Sequence, residues 1–180
     1  NKPNDTKNEY KKLSGAIKFK PLDITIGTGI YLDAAIKKHQ QYILTRFKDS
    51  TFTKNSYVFI LDLHNIEGGK KFATMLLNSN RPDLVNKPID DNFKGEKGKE
   101  FNKVYLKDLR LKGESYVDYW FKKVGQLKPV HKMSYFYHQK EWNWIIGSGF
   151  YFDDLEAQIS QKEQERQSYI QNMIYTSIKW

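Results

Sequence analysis

A chain of 180 residues fits one ordinary domain, or one domain with a piece of a second, and is long enough to bury a core. Thirty Lys and Arg against 21 Asp and Glu give a net charge of +9, but the lysines are spread along the chain with carboxylates between them. No aromatic-plus-basic or recognition-helix pattern accompanies them, so nucleic acid is not an expected partner, and the absence of cysteine excludes a disulfide frame, a thiolate nucleophile and a Cys-based zinc site.

In chain order, the opening NKPNDTKNEYKK is polar and reads as a loop or tail. DITIGTGI alternates β-branched residues and predicts a strand. Leu32, Ala35, Ile36, Ile43 and Phe47 recur at helical spacing and predict a helix of about four turns. SYVFILDL, Ser56 to Leu63, is a continuous apolar run of strand length, as in a strand buried on both faces, and HNIEGG then turns the chain. KFATMLLNSN fits helix or strand; a strand ending at Asn80 is favoured, with the loop RPDLVNKP after it. A Gly- and Lys-rich loop, DDNFKGEKGKEF, leads to a short helix, FNKVYLKDLRLK, whose Phe101, Val104, Leu106, Leu109 and Leu111 roughly mark one face. Three strands follow, ESYVDYWFKK, VHKMSYFYHQ and WNWIIGSGFYF, with turns at VGQLKP and QKE. From Asp153 to Trp180 a helix carries Leu155, Ile159, Ile170, Met173, Ile174 and Ile178 on one side and QKEQERQ as its solvated middle. That order describes an α+β unit with helices packed on a central antiparallel sheet, the outline of a PAS-like fold.

No run reaches the roughly 18 to 20 apolar residues that a membrane-crossing helix needs, and the first residues do not form a signal peptide, so the chain as given reads as soluble. It also reads as a piece of something longer, because MIYTSIKW stops with an apolar face still running.

One junction is spelled twice. Gly27, Gly29, Tyr31 and Asp33 match Gly147, Gly149, Tyr151 and Asp153, each pair 120 residues apart (147 − 27). A repeat at that distance means a module and not a solenoid. Two glycines at i and i+2 bare one sheet face, so a helix or a neighbouring backbone can come close, and the aspartate then favours the positive end of a helix. A dinucleotide fingerprint would need a third glycine where Leu32 and Phe152 stand.

GESYVDYWFKKVG, then VHKMSYFY and WNWIIGSGFYFDDL, with SYVFILDL upstream, resembles the single-Cache sensor domain in its second subtype over Tyr57 to Leu155. That family's pattern runs approximately G-E-G-F-V-x-Y-x-W-x-K-x-G, then K-x-S-Y, then W-x-W-x-I-G-T-G-x-Y-x-D-D. Ser115 departs from a glycine, Phe121 from the tryptophan, Val124 from a proline and Ser148 from a threonine; Phe121 forfeits any hydrogen bond from an indole N–H. The resemblance implies a PAS-like Cache fold, with a central antiparallel sheet flanked by long N-terminal and C-terminal helices. It implies an extracytoplasmic, periplasmic sensor in a bacterial chemoreceptor, histidine kinase or cyclic-dinucleotide enzyme anchored in the inner membrane. The ligand class it implies is a small organic acid such as acetate, propionate, lactate or pyruvate. On this reading residues 1–31 are a tail and the last strand of a preceding Cache-like module, 32–155 the sensor module, and 156–180 a helix leading toward the membrane. Trp180 beside Lys179 suits a membrane interface, and the helix end is apolar enough to pair with a copy of itself in a homodimer.

A small carboxylate in a cavity needs a cation or several donors beside an apolar wall. The family motif marks Tyr119, Lys132 and Tyr135, with Lys132 as charge partner and the tyrosines as donors. Strand alternation puts Val117, Tyr119 and Phe121 on one face, but it puts Lys132 and Tyr135 on opposite faces, so both can line one pocket only if the strand twists or bulges between them. Arg81 and Phe121 complete the expected site; Arg81 is chosen for its planar fork. Each has a plainer role open to it: a snorkelling lysine, core aromatics, a loop cation. His39, His64, His131 and His138 show no metal-ligand spacing, Asp153 and Asp154 diverge on a helix, and GSG is no serine elbow; no cofactor, metal site or enzyme is expected. The alternative to a sensor is a ligand-free relay, with Phe121 and Met75 filling the space.

Overall fold

The structure is a computed structural model, and it describes residues 2, 5, 7–48, 57–123 and 125–178. Ser56, Val124, Lys179 and Trp180, to which the sequence reading gave roles, lie outside the described residues. The chain divides into two compact units, Asn1–Arg46 and Phe47–Trp180.

In the first unit, β1 (Lys12–Phe19) pairs antiparallel with β2 (Ile24–Tyr31), and α1 (Leu32–Phe47) follows directly. The four-turn helix is as predicted, but β1 is a correction, because only one strand was expected before Leu32. Lys12, Ser14, Gly15 and Ala16 have little strand propensity, yet Leu13, Ile17 and Phe19 alternate along it. A 3-10 turn, Lys20–Leu22, makes the corner, and Asp23 closes it in the left-handed region at φ 52°.

In the second unit, β3 (Tyr57–Leu63), β4 (Ala73–Asn78), β5 (Pro88–Ile89), β6 (Glu114–Lys122), β7 (Pro129–Gln139) and β8 (Trp144–Tyr151) form one antiparallel sheet. Its order is β5-β4-β3-β8-β7-β6, so the last strand in sequence lies in the middle. KFATMLLNSN resolves as strand, and β3 is buried along nearly its whole length, as its apolar run predicts.

Between β5 and β6, α2 (Phe101–Lys112) packs on the sheet through Phe101, Tyr105, Leu106 and Leu109. Positions 101, 105 and 109 recur every four residues and make one stripe, so Val104 and Leu111, expected on that face, are exposed. Each large apolar side chain buried in this way contributes about 1.5–3 kcal/mol. The final helix, α3 (Phe152–Ile178), starts on the residue after β8, contacts β7 and β8, and leaves Ile159, Ile170, Met173 and Ile174 exposed. Among the described residues no helix is long and apolar enough to cross a membrane.

Candidate functional site

The sheet face under α2 is set by simple alternation. Val117, Tyr119 and Phe121 from β6, Lys132, Ser134 and Phe136 from β7, and Ile145, Gly147, Gly149 and Tyr151 from β8 all point to it. The two β8 glycines are needed there, although not for a helix. A Cβ on Gly147 would stand 2.1 Å from the Phe59 ring, and one on Gly149 would stand 2.4 Å from Ser134 Oγ, 2.7 Å from the Met133 carbonyl oxygen and 2.9 Å from Lys132 Cε. The bare positions therefore seat an aromatic ring and the stem of a lysine.

Between this face, α2 and the segment from Met75 to Phe93 lies a cavity of about 410 Å³. Lys132 stands at its inner end with only 1% of its surface exposed. Its Nζ donates to Tyr57 Oη at 2.7 Å and lies 4.7–6.0 Å from the ring centroids of Tyr57, Tyr151, Phe121, Tyr119 and Phe59. Among the described residues no carboxylate pairs with it. A buried ammonium without a counterion is costly, and burial by itself lowers the lysine pKa. Tyr119, Tyr57 and Tyr151, with the bond to Tyr57 Oη, more than offset burial and hold Lys132 above its ordinary value. Beside it stands a wall of Phe59, Leu61, Met75, Phe101 and Phe136. Tyr119 Oη and Ser134 Oγ share a hydrogen bond of 3.0 Å beside it.

Of the five residues expected at the site, the cavity brings together Arg81, Tyr119, Phe121 and Lys132. Arg81 lies toward its rim, half-exposed, with both prongs of its guanidinium on Asp83 at 2.7 Å, a pairing that raises its pKa; the fork is thus already engaged. Tyr135 is a correction. It faces the other side of the sheet, its ring 4.8 Å from that of Tyr116 at a 42° tilt, and donates to Glu114 at 2.7 Å, which pushes its pKa up to about 12. The registers of β7 with β6 and with β8 run unbroken from Lys132 to Tyr135, so no bulge turns it inward. Met75 and Phe121 line the cavity and leave it open.

Tyr57, Ser134 and Tyr151 were not foreseen. Tyr57 approaches Lys132 from 75 residues away, which no local pattern reveals. Ser134 was legible from its shared face with Lys132, and Tyr151 from the repeated junction. Tyr151 also joins the cavity to α3: Lys132 Nζ lies 5.4 Å and Lys123 Nζ 4.9 Å from its ring centroid. Lys123 in turn pairs with Asp153 at 2.8 Å and Asp154 at 2.7 Å in the first turn of α3. Burial lowers the Lys123 pKa, and the two aspartates more than reverse it. Among the described residues no cluster of His, Asp and Glu suits a metal ion.

The second unit thus sets a buried lysine against a largely apolar cavity, under a helix on an antiparallel sheet. The profile of the Cache domain family matches residues 1–156, and the chain belongs to that family. Among solved structures, it is similar to a Cache chemosensory domain described for carboxylic acid recognition, at 27% identity and TM-score 0.53, over 64% of this chain and 72% of that one. A periplasmic sensor domain of a chemotaxis protein shares the fold at 21% identity and TM-score 0.53, over 64% of this chain and 74% of that one. A methyl-accepting chemotaxis protein from Vibrio parahaemolyticus does so at 22% and 0.51, over 65% and 72%. In sequence, 46 residues are 46% identical to the methyl-accepting chemotaxis protein McpP of Pseudomonas putida. That stretch is 26% of this chain and spans only 8% of the receptor.

Proposed function

We propose that the second unit is the ligand-sensing domain of a bacterial transmembrane signalling receptor, extracytoplasmic in place, and that it binds a small organic carboxylate on Lys132. The carrying observation is the buried Lys132, with no carboxylate partner among the described residues, at the inner end of a cavity. A carboxylate supplies the missing counterion, with Tyr57 and Tyr119 as hydroxyl donors. The cavity volume lies near the small end of the usual range for ligand pockets, and its apolar wall suits a guest with a short carbon chain. The likeness to a carboxylate-recognising Cache domain supports the same class.

Output runs through the Tyr151 contact. A guest that draws Lys132 away from Tyr57 changes the charge beside Tyr151, whose other neighbour, Lys123, anchors the first turn of α3. Binding then favours one of two placements of that turn by the difference in affinity for them.

The test is thermal melting of this chain with acetate, propionate, lactate and pyruvate. An acid at 100 times its dissociation constant should add about 2.7 kcal/mol to stability. If every acid leaves the melting point unchanged while the fold is intact, the sensing role of this unit falls and the ligand-free relay replaces it.

A further inference from the structure

Two asparagines line the cavity of the second unit, and each has one end tied to the backbone. Asn78 is the last residue of β4 and Asn102 the second of α2, with 6% and 3% of their surface exposed. The Arg81 backbone N–H donates to Asn78 Oδ1 at 2.9 Å, and Asn102 Nδ2 donates to the Asp90 carbonyl oxygen at 2.8 Å. A backbone N–H can be met only by the amide oxygen and a backbone carbonyl only by the amide nitrogen, so these two bonds fix both side-chain orientations.

The opposite ends are left over. Asn78 presents its NH2 group, a donor, and Asn102 its carbonyl oxygen, an acceptor, and among the described residues neither has a partner. Neither is sealed in protein: among the described residues, the enclosed polar atoms without a partner are His138 Nε2 and Asp154 Oδ2. Side chains so deeply buried open only onto the cavity they line. Tyr105, one turn on from Asn102, adds a buried hydroxyl that also lacks a partner among the described residues. Unmatched polar groups on a largely apolar wall are costly, so this set calls for a guest that meets it.

The free groups are neutral, and they narrow the guest. A second carboxylate has no proton to give Asn102 Oδ1, and an ammonium has no lone pair for Asn78 Nδ2; a hydroxyl supplies both. The rim cations do not change this, because Arg81 is held by Asp83 and Lys87 is exposed. β4 and β7 are separated by β3 and β8, which puts their backbones about 14 Å apart along the sheet at roughly 4.8 Å per strand. The Lys132 stem spans part of that, and a few carbon atoms of guest span the rest.

We propose that the guest is a hydroxy acid whose two polar groups stand several bonds apart, with its carboxylate on Lys132 and its hydroxyl between Asn78 Nδ2 and Asn102 Oδ1. The two asparagines are then the specificity-determining residues of the pocket. The inference rests on the reading of Lys132 as the carboxylate partner.

The test is calorimetric titration of this chain with pairs of acids that differ by one hydroxyl: 3-hydroxypropionate and propionate, 4-hydroxybutyrate and butyrate, 5-hydroxyvalerate and valerate, 4-hydroxyphenylacetate and phenylacetate. A site built to hydrogen-bond a hydroxyl rejects the analogue without it, so at least one hydroxylated acid should bind about tenfold or more tighter than its parent. Asn78→Leu and Asn102→Leu should each bring that pair to within about twofold. Where circular dichroism shows that leucine prevents folding, the alanine variant replaces it. A wild type with no hydroxyl preference, or a preference that survives both substitutions, overturns the inference; loss of the parent acids in Lys132→Met then leaves the role of Lys132 standing. If the preference is present and vanishes in the asparagine variants while Lys132→Met binds as wild type does, the hydroxyl site stands and the role of Lys132 falls. A wild type that binds none of these acids overturns both.

Discussion

Gly149→Ala adds one methyl group at the most crowded point of the pocket. The new Cβ would lie 2.4 Å from Ser134 Oγ, 2.7 Å from the Met133 carbonyl oxygen and 2.9 Å from Lys132 Cε, whereas ordinary contacts begin near 3.4 Å. Ser134 and Lys132 can give way by leaving their seats, but the Met133 carbonyl belongs to β7, which pairs with β8 along this stretch. Overpacking of this kind costs about 1–3 kcal/mol. Replacing glycine also restricts the unfolded chain, which returns about 0.4–1 kcal/mol. The net loss is then between about 0 and 2.6 kcal/mol, centred near 1 kcal/mol, a fall in melting temperature of roughly 3–5 °C at that centre for a unit of this size. Displacing Lys132 also breaks its bond to Tyr57 Oη and moves the ammonium off its ring faces, so the carboxylate-induced rise in melting point should shrink or vanish. Thermal melts followed by near-UV circular dichroism, with and without saturating acid, read both quantities. A variant that melts with wild type and keeps the full acid-induced rise would show that the lysine stem is not seated on Gly149, and the account of the glycine pair would fail.

Two further outcomes are expected. Tyr119→Phe removes the buried hydroxyl bonded to Ser134 and should cost about 1 kcal/mol while weakening the acid-induced shift; Tyr135→Phe, on the opposite face, should leave that shift unchanged, and paired melts separate the two. His138 has its pKa lowered by burial, aided by Lys140, and its Nε2 is buried without a hydrogen-bond partner. Below pH 6.5 the unfolded chain takes up a proton that the folded chain resists, so stability falls as pH drops through that value. His138→Gln should flatten the loss between pH 7.5 and pH 5.5 in urea unfolding, and an unaltered slope would remove His138 from the acid response.

Periodicity was a reliable guide along the buried strands, and a partial one along α2, where Val104 and Leu111 fall off the buried stripe. The apolar run of β3 and the alternation of β6 and β7 appear where the residues place them; α1 forms at its predicted spacing although none of its residues is buried. Alternation also outranked motif analogy at Tyr135: the family pattern named it for the pocket, and the unbroken register of β7 sends it the other way. The strand β1 escaped notice because Lys, Ser, Gly and Ala dilute its alternating Leu13, Ile17 and Phe19. The engagement of Arg81 by Asp83, only two residues on, was available in the RPD triplet, since a fork so close to a carboxylate tends to close on it. The pairing of Lys132 with Tyr57 was not, because it depends on β8 lying between β3 and β7, which is a property of the whole sheet.

The passage from β8 into α3 takes place between Tyr151 and Phe152, with no loop to absorb movement. The helix axis is therefore set directly by the direction in which β8 leaves the sheet. The 27 residues of α3 extend about 40 Å at 1.5 Å per residue. A tilt of about 3° at its base carries the far tip of such an arm sideways by roughly 2 Å. Geometry alone thus turns a small angular change at the sheet into a displacement of ångströms at the far end of the helix.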